Sequence, residues 1–153
     1  MELTGEYWLS ASGGEVWKAL HDPEVLRATI PGCKELEKIS ETEFTAKVTT
    51  KMGPMKVNFS GRVTLSNLVP PVSYTITGGG EGGIAGFAKG SAGVVLEEDG
   101  VGTRMRYSAQ AAVGGKLAQL GSRLLKGTSQ KLADAFFDAF AERMGGERQE
   151  VPG

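Results

Sequence analysis

The chain has 153 residues, with 17 basic against 18 acidic side chains, 40% hydrophobic and 23% charged residues, one cysteine and one histidine. That length suits a single domain with its own core, and the composition is that of a folded, soluble protein rather than a disordered one. The near-zero net charge lacks the clustered Lys and Arg of a nucleic-acid binder, and a lone Cys33 with a lone His21 excludes an internal disulfide, a multi-cysteine zinc site and a histidine cluster.

The opening MELTGEYWLS has neither the basic start nor the apolar run of a signal peptide, and no later window approaches 18 uninterrupted apolar residues. The expected location is the cytoplasm, and the acceptor triplet Asn58-Phe59-Ser60 is read as chance. Residues Glu2 to Leu9 have strand-like composition. Ser12 with Glu15 three places on forms a capping-box pattern ahead of Val16, Trp17 and Leu20, so a short helix starts there. Asp22 followed by Pro23 opens a second short helix, expected to run to about Thr29 before Pro31 and Gly32 stop it.

From Lys34 to Val113 the pattern has period two, as strands with one wet and one dry face require. Phe44, Ala46, Val48, Thr50 and Met52 oppose Thr45, Lys47, Thr49 and Lys51, and after Gly53-Pro54 the alternation resumes with Val57, Phe59, Gly61, Val63 and Leu65, a hairpin signal. Pro70-Pro71 separates this strand from Tyr74 and Ile76. Eight glycines then fall between Gly78 and Gly93, and Asp99-Gly100 turns the chain into Met105, Tyr107, Ala109, Ala111 and Val113. Beyond Gly114-Gly115 the period returns to 3.6, with Leu117, Leu120, Gly121, Leu124, Thr128, Leu132, Ala135, Phe136, Ala139 and Phe140 on one stripe, which predicts one long helix over Leu117 to Met144. Gly145-Gly146 ends it. The expectation is an α+β fold: a curved antiparallel β-sheet wrapped around a long C-terminal helix, with two short helices after the first strand. One domain spans residues 1–144, and 145–153 is a frayed, flexible tail.

Chemistry-bearing motifs are few. Gly78, Gly80 and Gly83 have the spacing of a dinucleotide fingerprint, but strand-like residues follow where that fingerprint needs a helix, so it is rejected; Gly115-Lys116 is followed by Leu117, which rules out a phosphate loop. His21 beside Asp22 lacks the third group and oxyanion hole of a nucleophilic site and reads as a helix-terminal histidine. Cys33 has no visible activating base. Arg104 and Arg106 could hold an anion together, though such pairs are usually a solvated strand face. No catalytic and no metal-binding residue is expected.

The sizes of the inward residues are more informative. Ala46, Gly61, Gly78, Gly90, Ala92, Ala109 and Ala111 all sit at core-facing parity, where a simple sheet-on-helix core would favour Val, Ile and Leu. Close-packed interiors refill such volume by tight helix approach on a bent sheet or by a ligand, and both readings stay open. In the ligand reading, a pocket between the sheet and the first half of the long helix is walled by Phe59, Tyr74, Ile76, Met105, Tyr107, Leu120 and Leu124. Gly61, Ala109 and Gly121 supply the space, and the Tyr107 phenol is the polar handle.

The order strand, two short helices, long antiparallel sheet, long helix resembles the helix-grip fold of the START/Bet v 1-like (SRPBCC) superfamily. Ile30-Pro31-Gly32-Cys33, the glycine-rich Gly78 to Gly93 segment, and Val113-Gly114-Gly115-Lys116-Leu117-Ala118 resemble the carbon monoxide dehydrogenase G-subunit family over about residues 1 to 144. The resemblance implies a non-catalytic accessory protein that serves a molybdenum-containing carbon monoxide dehydrogenase or related hydroxylase, with lipid or quinone as bound molecule, no covalent cofactor, and peripheral contact at the inner face of the cell membrane. Some members carry a C-terminal extension thought to reach the membrane; here only Glu147 to Gly153 follow the helix, so anchoring of that kind is not expected. Two alternatives stand beside this reading: a cyclase- or hydrolase-like enzyme of the same fold, and a docking module with a collapsed pocket whose outer lysines Lys47, Lys51 and Lys56 and Arg62 meet a protein or anionic membrane.

Overall fold

The period-two segments all become strands of one antiparallel sheet in a computed structural model that describes residues 1–149. The strands are β1 (Glu2–Leu9), β2 (Cys33–Ser40), β3 (Glu43–Met52), β4 (Met55–Val69), β5 (Ser73–Glu81), β6 (Phe87–Asp99), β7 (Gly102–Gly114) and a two-residue β8 (Glu147–Arg148). They lie in the order β2-β3-β4-β5-β6-β7-β1-β8, so every sequential pair from β2 to β7 is a hairpin neighbour and β1 closes against β7. The two short helices form where their caps place them. In α1 (Gly13–Leu20) the Glu15 amide donates to Ser12 Oγ at 3.2 Å, and in α2 (Pro23–Thr29) the Glu24 amide donates to Asp22 Oδ1 at 2.9 Å, each satisfying one of the orphan donors of a helix start.

The C-terminal segment departs from expectation in two ways. The helix expected over Leu117 to Met144 is divided: residues Gly115–Leu120 form a 3-10 turn, Gly121 takes φ +92, and α3 runs only over Ser122–Arg143. A backbone at that φ has left the right-handed helical region, so helical phase is not carried across it. The buried face of α3 is accordingly Leu125, Phe137, Phe140 and Ala141, while Leu124, placed on the inward stripe by continuous periodicity, is 38% exposed. The expected frayed tail is also partly ordered. Glu147 and Arg148 pair with Trp8 and Tyr7, the Gln149 amide donates to Glu6 O at 2.8 Å, and the Arg148 guanidinium bridges Asp134 and Asp138 of α3. Two residues carry no periodic signal, which is why the strand is invisible in sequence; residues 150–153 lie outside the described ones.

Two apolar clusters hold the sheet to its helices. The larger joins Tyr7, Leu9, Val16, Leu20, Phe44, Leu65, Tyr74, Met105, Phe137 and Phe140; the smaller joins Met52, Val57, Ala85, Leu117 and Leu125. They meet the same sheet and the same helix at different heights: Phe44 and Met52 both belong to β3, and Phe137 and Leu125 to α3. The inward positions between them, Ala46, Val48 and Thr50, belong to neither cluster and are only half-buried.

Candidate functional site

That gap between the clusters is a cavity of about 470 Å³. Its floor is β3 to β5, with Phe44, Ala46, Val48, Thr50, Met52, Phe59, Val63, Leu65, Tyr74 and Ile76, continued by Ala111 and Val113 of β7. Its roof is Leu26 of α2 with the following Ile30 and Pro31, and Ser129, Leu132, Ala133, Phe136 and Phe137 of α3. Among the described residues no charged side chain lines it, and Thr50, Tyr74 and Ser129 bring the only side-chain hydroxyls.

The small inward residues divide between the two readings that the sequence leaves open. A Cβ added at Gly61 would lie 2.9 Å from Gly79 O, and one at Gly90 would lie 2.7 Å from Gln110 O, so these glycines admit close backbone approach in a curved sheet rather than creating free volume. Ala46 and Ala111 instead border the cavity.

Of the residues expected to wall a pocket, Phe59, Tyr74 and Ile76 do so. Gly61, Met105, Tyr107, Ala109, Leu120, Gly121 and Leu124 do not. The reason is where α3 crosses. It packs on β1 and reaches β7 through Phe137, whose ring stacks on Tyr107 with centroids 4.2 Å apart, while Met105 is fully buried in the larger cluster with Ala109 packed against it. The Tyr107 hydroxyl accepts from Gln130 Nε2 at 3.1 Å, which removes it as a handle for a ligand. Leu120 packs in the smaller cluster, and Gly121 and Leu124 lie on the surface before and at the start of α3. Amphipathic pattern tells which face of a helix is buried, not which strands it covers. The missed walls were nonetheless present as patterns: Phe44 to Met52 is the dry face of β3, Leu132 and Phe136 lie on the helical stripe, and Ile30-Pro31 belongs to the motif that carried the resemblance.

The polar handle that the cavity does have is Tyr74. Its side chain is 4% exposed, packs edge-on to Trp17 with ring centroids 5.2 Å apart, and makes no hydrogen bond among the described residues. Burial pushes its phenol pKa up, so the hydroxyl remains a donor. Beside it, His21 is the C-cap of α1, as a helix-terminal histidine should be. Its Nδ1–H donates to the Trp17 carbonyl at 2.7 Å, the ring stacks on Trp17 at 4.6 Å, and Nε2 is buried without a partner. Burial lowers its pKa, against the opposing effect of the bond to Trp17. The half-buried Cys33 has its thiol pKa raised by burial, the opposite of activation. Arg104 and Arg106 are occupied by carboxylates: Arg104 with Asp99 at 2.6 Å, and Arg106 with Glu6 at 2.7 Å and Glu97 at 3.2 Å. Among the described residues no group of three or more His, Cys, Asp or Glu side chains is placed to hold a metal ion, and no helix is long and apolar enough to cross a membrane.

No curated protein is similar enough to the chain to count as a match. Among solved structures, a conserved protein from Geobacillus kaustophilus is 29% identical with a TM-score of 0.84, covering 94% of this chain and 95% of its own. A Thermus thermophilus protein (17% identity, TM-score 0.68, 94% and 97% covered) and the Zhui aromatase/cyclase from Streptomyces sp. R1128 (10% identity, TM-score 0.69, 94% and 93% covered) share the fold. The family model for the carbon monoxide dehydrogenase G-subunit (CoxG) matches residues 5–145, from within β1 to the end of the helix that roofs the cavity. On a helix-grip fold of the SRPBCC type, the chain belongs to the CoxG family, the carbon monoxide dehydrogenase G-subunits.

Proposed function

We propose that this protein is a non-catalytic accessory protein that holds an apolar or amphipathic molecule, a lipid or quinone, in the cavity between sheet and helix, and that it serves a molybdenum-containing carbon monoxide dehydrogenase or related hydroxylase. The observation that carries the reading is a cavity of about 470 Å³ whose walls are aliphatic and aromatic and hold no charge. Small-molecule sites of roughly 300 to 1,000 Å³ are lined in this way, with a few polar groups to orient the ligand. Tyr74 is suited to orienting one, because a buried phenol seeks a partner and a quinone or ester carbonyl accepts its proton in a hydrogen bond. The hydroxylase partner rests on the family alone.

The enzyme reading finds less support. General acid–base work needs a carboxylate, imidazole or amine within reach of the reacting atoms, and among the described residues the cavity walls offer only hydroxyls. The likeness to an aromatase/cyclase is one of fold. A collapsed docking module would need the space between the two clusters to be filled.

The test uses Trp17, which touches Tyr74 and so reports on the cavity. In a Trp8→Phe background, a short-chain ubiquinone analogue should quench Trp17 fluorescence saturably at one per chain, and Tyr74→Phe should weaken binding about two- to tenfold through loss of one hydrogen bond. Absence of quenching, together with no small molecule retained in native mass spectrometry of protein from its own host, would defeat the ligand reading.

A further inference from the structure

The hairpin of β4 and β5 projects beyond the strand beside it. Thr64, opposite Glu43, is the last residue of β4 to pair with β3, yet β4 continues to Val69. The tip reads Leu68-Val69-Pro70-Pro71-Val72, an uninterrupted apolar run whose members are all exposed. It is held in shape by its own bonds. Asn67 takes φ +52 where the register shifts between Ser66 and Val69, and its Nδ2 donates to Thr75 Oγ1 at 3.2 Å. The Val72 amide donates to Val69 O at 2.6 Å, and the Leu96 amide of β6 donates to Val72 O at 2.7 Å. Val69, Ser73 and Val95 are successive cross-strand partners, so two valines, 53% and 39% exposed, stand in one row on either side of a serine.

The charges around this tip are mainly acidic. No charged residue occurs between Arg62 and Glu81. Glu97, Glu98 and Asp99 end β6 beside the tip, and Glu6 extends the row of Val95 through Arg106. Glu15 lies in the first turn of α1, the helix that begins at Gly13, where a Cβ would lie 4.0 Å from Pro71 O. Arg104 and Arg106 offset part of this charge by pairing with Glu6, Glu97 and Asp99. Glu15 and Glu98 are exposed and in no ion pair among the described residues. Of the cations on the adjoining helices, Lys18 and Arg143 are also unpaired there and lie in the last turns of α1 and α3. Counting them, carboxylates still outnumber cations.

We infer that the β4–β5 tip, with the adjoining end of β6, is the surface by which this protein docks on a protein partner that offers an apolar cleft with a cationic rim. The inference rests on the proposed accessory role, and it takes the hydroxylase as that partner. A contiguous apolar projection on an otherwise polar surface marks an interaction site, and one already fixed by hydrogen bonds loses little freedom on binding. Leu68, Val69 and Val72 would be the anchors, and the unpaired Glu15 and Glu98 would meet the partner's basic rim. A second copy would set the acidic rim against itself, and an anionic surface would meet the same repulsion.

The experiment is biolayer interferometry of the full chain against molybdenum-containing carbon monoxide dehydrogenase holoenzyme purified from the protein's own host. Wild type should bind, and more weakly as salt screens the rim. Leu68→Ser/Val69→Ser should lose about tenfold or more, the loss expected of central apolar anchors. Glu98→Lys should lose several-fold and show a shallower salt dependence, while Ile84→Ser, on the turn between β5 and β6, should bind as wild type does. An unchanged circular dichroism spectrum and unchanged quinone quenching keep loss of docking separate from loss of fold or cavity. Equal binding by wild type and Leu68→Ser/Val69→Ser would overturn the docking surface while leaving the hydroxylase partnership intact. No binding by wild type would overturn the inference together with the partnership, and quenching would still report the ligand reading by itself. A wild-type dimer in sedimentation velocity that Leu68→Ser/Val69→Ser abolishes would assign the tip to a second copy and also overturn the inference.

Discussion

The β7–β1 side of the sheet and the β3–β5 side face the same helix and meet it differently. Against β1 and β7, α3 is packed on contact: Tyr7, Leu9, Met105 and Phe140 have essentially no exposure, Tyr107 stacks on Phe137, and Tyr7 donates to Asp138 across the interface. Over β3 to β5 the same helix stands off, α2 leans in to complete a roof, and Val48, Thr50, Phe59 and Leu132 remain half-buried around a hollow. Contact with α3 is therefore concentrated on one side and vacant volume on the other. Both arise from one helix seated off-centre on a curved sheet.

Substitutions on the two sides should separate most clearly in stability. Phe140→Ala removes a fully buried ring from the packed side and should destabilise the fold by about 3 to 5 kcal/mol in denaturant titration. A loss below about 1 kcal/mol would mean that this side is no better packed than the other. Ala109→Leu comes next. Because Ala109 packs against the larger cluster rather than the cavity, the added atoms should overpack it at a cost of about 1 to 3 kcal/mol. Val48→Phe adds comparable bulk on the hollow side, where Val48 belongs to neither cluster, and should cost less than the roughly 1 kcal/mol at which overpacking begins.

The smallest expected effect is on pH dependence. Burial holds the His21 pKa in the folded chain below its ordinary value of 6.5, so the unfolded chain takes up this proton first as pH falls. The stability that goes with neutral His21 is therefore fully present above pH 6.5 and declines below that value until the folded pKa is reached. His21→Gln should flatten that part of the stability–pH curve while leaving its slope above about pH 7 unchanged. An equal slope below pH 6.5 in both proteins would show that other groups carry the dependence.

Much of this arrangement can be traced to local rules in the sequence. Ser12-Glu15 and Asp22-Pro23 start their helices because a side-chain oxygen meets an orphan amide within three residues, and the alternation from Phe44 to Leu65 sets the β3–β4 register, with Phe44 opposite Val63 and Ala46 opposite Gly61. The candidate site was harder to read because it depends on distances between elements. Tyr107 and Tyr74 have the same inward parity, yet one is capped by Phe137 and Gln130 while the other faces a hollow. Only the lateral position of α3 decides which. Gly121 shows the other way in which local pattern fails: a single positive φ resets the helical phase, so Leu125 rather than Leu124 turns inward.

The central claim is that the hollow side is a binding site, and it is tested most directly by titrating the short-chain ubiquinone analogue into wild type and Val48→Phe side by side, following Trp17 quenching in the Trp8→Phe background. One equivalent bound by wild type, and binding lost in a Val48→Phe variant that unfolds at the same denaturant concentration, is the expected result. Equal uptake by both proteins, or none by either, would contradict it.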